Sequence, residues 1–411
     1  MPSLTSNQVE TIYRDESYEA FQTGLAQQSD ELEKQGFFSL FPTKEVSTYS
    51  TFKTHVFASY NEESARNPGE PLSLGTMGQG YAYPTAIRAE FSESRTIPTE
   101  YLDTVLKLGD YANEQGEIQG RNYAQAYASY LTHLFSHGGI AAATLAAVGN
   151  GSAGQHPRAR IFNHALKGEQ GAVIAEIPNV DYADPDTKPW FAFKGNEHIR
   201  AGANADTSAS YAGKTLGFFN AGSSGAAATN MILSEANLEA AILHMENDVP
   251  WGPDRKFYAA PRMNTLVCSG NLRSTAAQII ELNEFRQNTP NNDKNVMFKS
   301  NKVFAIDTII VNRFLPDNCW YIGAKGQGCR ITRYKGMPLL GATEGPVKGT
   351  YVHIWQDMKT KIWVRDFLAY WSHWFDSALD IAWFAGSTPT ALDSNNHPAG
   401  PTTASLVNWA D

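Results

Sequence analysis

Positive charge is scarce in this chain: 33 Lys and Arg stand against 42 Asp and Glu, a net charge of −9. That balance argues against non-specific nucleic-acid binding driven by phosphate neutralisation, although not against a wall that merely encloses nucleic acid. Cysteine is scarcer still. Cys268, Cys319 and Cys329 are the only three, they form no CxxC pair, and an odd one is left over. Neither a disulfide framework nor a zinc site is indicated, and a reducing compartment is the default. Long apolar runs are missing as well. The longest weakly polar stretch, 138–149, is Ala-rich and too short to span a bilayer, so no membrane partner is expected. The opening MPSLTSNQVETIYRDES lacks the basic segment and apolar run of a secretory signal. No internal repeat and no linker between independent domains stands out.

What is present is a folding composition, with 42% hydrophobic and 18% charged residues, unlike a disordered chain. At 411 residues there is room for two or three structural units and a large core.

The longest helix-capable stretch is 98–137. Leu102, Val105 and Leu106 recur at helical spacing, as do Tyr123, Tyr127, Tyr130, Leu131 and Leu134. Pro98 suits a first turn, Glu100 and Asp103 place negative charge at the positive dipole end, and Gly138-Gly139 predicts a left-handed stop. Gly109, Gly116 and Gly120 each cost about 1 kcal/mol relative to Ala, which predicts a bend or break near the middle.

Around this stretch, residues 1–50 read as a polar arm. Val9, Ile12, Tyr13, Phe21, Leu25 and Leu32 form a thin apolar stripe on charged helices, and QGFFSLFP adds large side chains with little local cover. Such an arm is expected to dock on another surface. Over 51–97, FKTHVFASY and YPTAIRAEFS are strand-like and flank a turn-rich stretch, which predicts an extended hairpin. Residues 138–228 read as a Gly/Ala-rich region of short strands. Ser234 is a predicted N-cap for a helix burying Leu238, Ala241, Ile242 and Met245. A strand over 263–269 follows, then a helix over 271–285 with Leu272, Ala276, Ile279 and Ile280 inward. Next come two buried strands around Pro316-Asp317-Asn318, and a hairpin turning at 358–360 into the aromatic run IWVRDFLAYWSHWFDSALDIAWFAG. Helix and strand mix without βαβ rhythm, so the predicted class is α+β.

Candidate chemistry is thin. GNGSAG (149–154) has GxGxxG spacing, but Ala-rich IAAATLAAV precedes it and a proline-containing segment follows. A dinucleotide site needs a strand before and a helix after. GAKGQG (323–328) lacks GK[ST] and reads as a loop. His133 and His137 have the spacing of two metal ligands on one helix face, without the HExxH glutamate or a third ligand. A terminal-turn role, with His137 near the negative dipole end, is the simpler reading. His373 among Trp371, Trp374 and Phe375 reads as a packed polar residue, and His164, His198, His244 and His353 stand alone. GSSGA (222–226) fails GxSxG at its last position. Asp181, Asp184 and Asp186 lack an EF-hand's glycine and terminal glutamate. The C-terminal tryptophans fit a sugar-stacking surface less well than a core or an intersubunit face. No catalytic, cofactor-binding or metal residue is assigned, and an enzyme is not expected.

The order of parts resembles the Hong Kong 97-type major capsid proteins of tailed phages. LSEANLEAAILHM followed by APRMNTLVCSGNLRSTAAQII is similar to the family's helix, strand and second helix. VFAIDTIIVNRFLPDNCWYIGAKGQGCRITRY is similar to its strand, Pro-containing loop, strand and excursion, and KIWVRDFLAYWSHWFDSALDIAWFAG to its returning terminal strand. The resemblance implies an N-terminal arm (1–50), an extended hairpin or E-loop (51–97), and a spine helix with peripheral domain (98–228) carrying an insertion at about 155–215. It further implies an axial domain (229–328), a peripheral β-return with the last axial strand (329–388), and a tail (389–411). The function implied is a non-catalytic shell subunit that self-assembles into pentamers and hexamers of an icosahedral head. Such a head encloses phage DNA without sequence-specific binding and is located in the virion after assembly in the host cytoplasm. Scaffolding, portal and cement proteins are the further partners implied. An encapsulin-like compartment shell is the first alternative, and a metal- or sugar-binding enzyme the second.

Overall fold

The 98–137 stretch folds as a 3-10 turn, Thr99–Leu102, followed by one uninterrupted α-helix, Val105–Ser136, in the computed structural model. The structure describes residues 4–46, 54–57, 79–84, 87–140, 164–165, 190–193, 198–199, 210–211, 214–215, 217–224, 227–228, 230–249, 262–280, 284–287, 296–299, 306–334, 342–375, 382–395, 397–401 and 403–404. The chain divides into a first unit (1–50, 87–132 and 330–373) and a second (51–86, 133–329 and 374–411).

The glycines predicted to bend this helix do not interrupt it. Gly116 and Gly120 are where another helix comes close. The arm folds as a single helix, Ser6–Lys34, and a Cβ added at Gly116 would lie 2.9 Å from Ser17 Cα. One at Gly120 would lie 2.7 Å from the Leu25 amide nitrogen, and one at Gly24 would lie 2.8 Å from the Glu117 carbonyl carbon. Contacts this short leave no room for a methyl group, so the propensity cost of glycine is offset by backbone-to-backbone packing.

The arm therefore has a seat within its own unit. Val9, Tyr13 and Phe21 are buried, and so are Phe37, Leu40 and Phe41 of the segment with little local cover. Gly36, at φ 78°, turns the chain after the helix, a conformation that suits glycine. Thr43–Val46 then pairs in parallel with 331–334.

The first unit's six-stranded sheet runs in the order Thr43–Val46, Cys329–Tyr334, Trp363–Phe375, Thr350–Gln356, Thr343–Glu344, with Ile87–Ile97 also paired to Trp363–Phe375. The predicted C-terminal hairpin is present: Thr350 pairs with Ala369 and Gln356 with Trp363. The 51–97 stretch divides differently from expectation. Thr54–Phe57 pairs with 79–82, whereas Ile87–Ile97 lies antiparallel to 363–373. Aromatic rings from helix and sheet form the unit's core, with Tyr123, Tyr127 and Tyr130 of the helix around Trp371 at centroid distances of 5.4, 5.2 and 5.7 Å.

In the second unit a four-stranded mixed sheet runs Thr308–Asn312, Thr265–Ser269, Trp320–Gly323, Trp383–Ser387. The first pair is parallel and the other two are antiparallel. Every residue of Thr265–Ser269, Trp320–Gly323 and Trp383–Ser387 is buried, as strands covered on both faces require. Helix Glu235–Asn247 begins at the predicted cap, Ser234, whose hydroxyl accepts from the Asn237 amide at 3.2 Å. Leu238, Ala241 and Met245 are buried on its inner face. The next helix is shorter than predicted. A 3-10 turn, Gly270–Leu272, leads into Arg273–Ile280, and Glu284–Gln287 is a strand paired with Val296–Lys299. That pairing joins residues about twelve positions apart, which helix periodicity could not reveal.

The expected left-handed stop after the long helix is absent. Among the described glycines, positive φ occurs at Gly36, Gly326, Gly328 and Gly349. Gly138 and Gly139 serve close approach instead: a Cβ there would lie 2.7 Å from the Phe191 ring and 2.8 Å from the Pro389 carbonyl oxygen, respectively. Short two-residue strands recur in the Gly/Ala-rich region, as in the pairing of 198–199 with 217–218 and of 210–211 with 214–215.

Candidate functional site

Among the described residues the candidate side chains are not brought together into one site. His133 and His137 stack edge to face with ring centroids 4.9 Å apart. His137 Nδ1 lies 3.1 Å from the His133 carbonyl oxygen and 3.1 Å from Ser136 Oγ. Since a carbonyl only accepts, Nδ1–H donates, and that nitrogen is committed to the helix's own backbone. Among the described residues no group of three His, Cys, Asp or Glu side chains could hold a metal ion. No helix among them is long and apolar enough to cross a membrane.

GNGSAG and Asp181, Asp184 and Asp186 lie outside the described residues, as do the side chains of His164, His198 and His373. GAKGQG forms the turn from Trp320–Gly323 into Cys329–Tyr334, with Gly326 and Gly328 left-handed. In GSSGA, the space beside Gly222 is filled by Met231, 3.1 Å from where its Cβ would stand. Trp320, Trp371 and Trp383 are buried, so these three offer no face to a sugar. His353 sits directly across from Asp366 in the hairpin, with Nδ1 3.9 Å from its carboxylate, while Trp355 Nε1 donates to the same carboxylate at 2.7 Å.

All three cysteines are free and buried. Burial pushes the thiols of Cys268 and Cys319 up to about 12, which suppresses the thiolate that nucleophilic or metal chemistry requires.

Two polar constellations escaped the motif search. In the second unit, the buried Asn220 side chain donates to the carbonyls of Trp190 (2.9 Å) and Trp383 (3.1 Å) and accepts from the Ala192 amide (2.8 Å). Its backbone also bonds Ala192 and Ala385, so one residue ties three chain segments together. In the first unit, Gln119 links Arg365 to Glu93, whose carboxylate also pairs with Arg95. Arg95 in turn donates to Gln115. Nothing in the local sequence around Asn220 signals its role. The Gly116–Gly120 spacing is a visible sign of close helix approach. Both constellations hold backbone and charge in place.

No family model matches the chain, and no curated protein matches it in sequence. Solved structures do show similarity. A structure titled Mycobacterium phage Patience aligns with TM-score 0.44 and 7% identity, covering 93% of this chain and 90% of that one. The cyanophage A-1(L) capsid asymmetric unit aligns at 0.46 and 12%, covering 86% and 92%. The capsid of a native GTA particle aligns at 0.38 and 9%, covering 85% and 89%.

Proposed function

We propose that this chain is a major capsid protein of the Hong Kong 97-type fold, a structural subunit that self-assembles into the icosahedral head enclosing phage DNA. The observation that carries the reading is the path of the chain. An arm, a paired hairpin and a long helix precede a mixed four-stranded sheet with two helices. A 13-residue strand, Trp363–Phe375, then runs in the first unit's sheet before Trp383–Ser387 closes the second's. The sequence resemblance implies that order for the family. In this reading residues 51–97 are the E-loop, 98–228 the spine helix and peripheral domain with an insertion at about 155–215, and 229–328 the axial domain.

A shell subunit needs broad contacts with its neighbours. Obligate interfaces of this kind bury about 2,000–5,000 Å², and closed symmetry repeats them until no apolar edge is left open. The net charge of −9 suits a wall that must not adsorb its packaged DNA tightly. Pentamers and hexamers are the expected capsomers, in the virion after assembly in the host cytoplasm, with scaffolding, portal and cement proteins as candidate partners.

Gel filtration and negative-stain microscopy of the purified chain test this. Capsomers or closed particles are expected, with nuclease-protected DNA inside particles taken from producing cells. A monomer that forms neither capsomers nor particles under any assembly condition would overturn the reading. Particles filled with a co-purifying enzyme in place of DNA would move it to a compartment shell.

A further inference from the structure

The arm helix covers a charge that has no carboxylate of its own among the described residues. Arg365 is 2% exposed, and its guanidinium lies over the Tyr13 ring of the arm at 5.5 Å and the Phe367 ring at 5.9 Å. Phe21 of the arm stacks in turn on Phe367 at 5.4 Å. Arg365 donates to the neutral Gln119 side chain, while its Nε faces no acceptor among the described residues. Arg95 is its direct partner in the strand register, and the nearby carboxylate, Glu93, is already paired with Arg95. Glu93 is thus shared between the Arg95 guanidinium and, through Gln119, the Arg365 guanidinium, and of the two it is Arg365 that is buried. Burial holds Arg365 below the usual guanidinium range. Like charges directly opposite on paired strands oppose each other, and a buried ion without its own partner is strongly unfavourable.

The seat itself works by shape. Gly24, Gly116 and Gly120 bring backbones together, whereas the large apolar side chains that the arm helix fully buries are Val9, Tyr13, Phe21 and Leu32. Gly36 follows the helix as a left-handed pivot. Beyond it, the chain is anchored separately by buried Phe37, Leu40 and Phe41 and by strand pairing at Thr43–Val46.

We propose that the helix Ser6–Lys34 is a strap that lifts from the long helix, pivoting near Gly36, while the rest of the first unit stays folded. Hydration of Arg365 drives the opening, and the glycine seam drives the closing.

Hydrogen–deuterium exchange on the full chain tests this, with peptides covering 6–34 compared against 105–132. The arm amides are expected to exchange faster than the long-helix amides. Arg365→Met removes the buried charge and keeps the apolar volume, so it should slow arm exchange about tenfold and leave the long helix unchanged. Gly120→Ala wedges the seam and should speed arm exchange alone. Arm and long helix exchanging at one common rate in the unmodified chain would overturn the proposal. Two further results would do the same: faster arm exchange in Arg365→Met, or a joint rise of arm and long helix in Gly120→Ala. Should Arg365→Met fail to fold, the unmodified chain and Gly120→Ala decide the matter together.

Discussion

The indole of Trp320 lies across Gly386 on the neighbouring strand, in the space that any side chain at Gly386 would occupy. Trp383 lies across Gly323 in the same way, so the two strands exchange a tryptophan for a glycine in both directions. A β-bulge sets this up: Trp320 pairs with Ser387 and Tyr321 with Ala385, leaving Gly386 as the extra residue. Each indole N–H is satisfied, Trp320 donating to the Met231 carbonyl at 2.9 Å and Trp383 to the Gln327 carbonyl at 3.2 Å. Gly386→Ala or Gly323→Ala should each cost about 1–3 kcal/mol through overpacking. The midpoint of denaturant unfolding reads the loss. An unchanged midpoint in both variants would mean that the rings have other room to move.

Asn220 poses a different problem, because its side chain cannot be replaced by any residue of similar size without losing donors or acceptors. Asn220→Ala removes three side-chain hydrogen bonds from the core. Each such bond contributes about 1 kcal/mol, so a loss of roughly 3 kcal/mol is expected. Asn220→Asp should be worse at neutral pH, since it sets a carboxylate against the Trp190 and Trp383 carbonyl oxygens. Equilibrium unfolding of both variants, followed by tryptophan fluorescence, would show the order; a milder Asp variant would contradict the hydrogen-bond account.

These two residues also mark where sequence reasoning ran out. Periodicity was enough to place the long helix, the capped helix after Ser234, the buried strands and the C-terminal hairpin, because each writes its burial pattern locally. Ser234 and Asn237 are three residues apart, and the strand pair 350–356 and 363–369 is joined by one turn. Asn220 and Trp383 are 163 positions apart, and no local pattern reports such a bond. The interior glycines show the same limit from the other side. Their propensity cost is local and visible, while the arm helix that makes them useful lies about a hundred residues earlier. Leu106 shows it again, since it keeps helical spacing yet is 75% exposed, while Leu108 in the same turn is buried: the helix is there, but spacing alone did not tell which face is covered. Candidate chemistry was legible chiefly as motifs that fail, and the side chains that organise the two units carry no motif at all.

The turn of the C-terminal hairpin supplies a pH prediction. Asp357 accepts from Thr360 Oγ1 at 2.6 Å and from the Lys359 amide at 2.9 Å, and these bonds, the Thr360 hydroxyl first, lower its pKa. In the same turn Lys361 is left-handed, at φ 55°, with its amide donating to the Asp357 carbonyl at 2.8 Å. Because the folded value lies below the unfolded one, the contribution is complete above the ordinary aspartate range, about pH 4, and is lost as pH falls through the folded value. Carbon-detected NMR of the Asp357 carboxyl should therefore give a midpoint below that of an unstructured aspartate. Thr360→Val, which removes the hydroxyl and keeps the shape, should move the midpoint upward while leaving the pairing of Gln356 with Trp363 intact. A midpoint that stays put in Thr360→Val would assign the effect to the Lys359 amide, and one at or above the ordinary range in the unmodified chain would show that the turn does not hold the carboxylate at all.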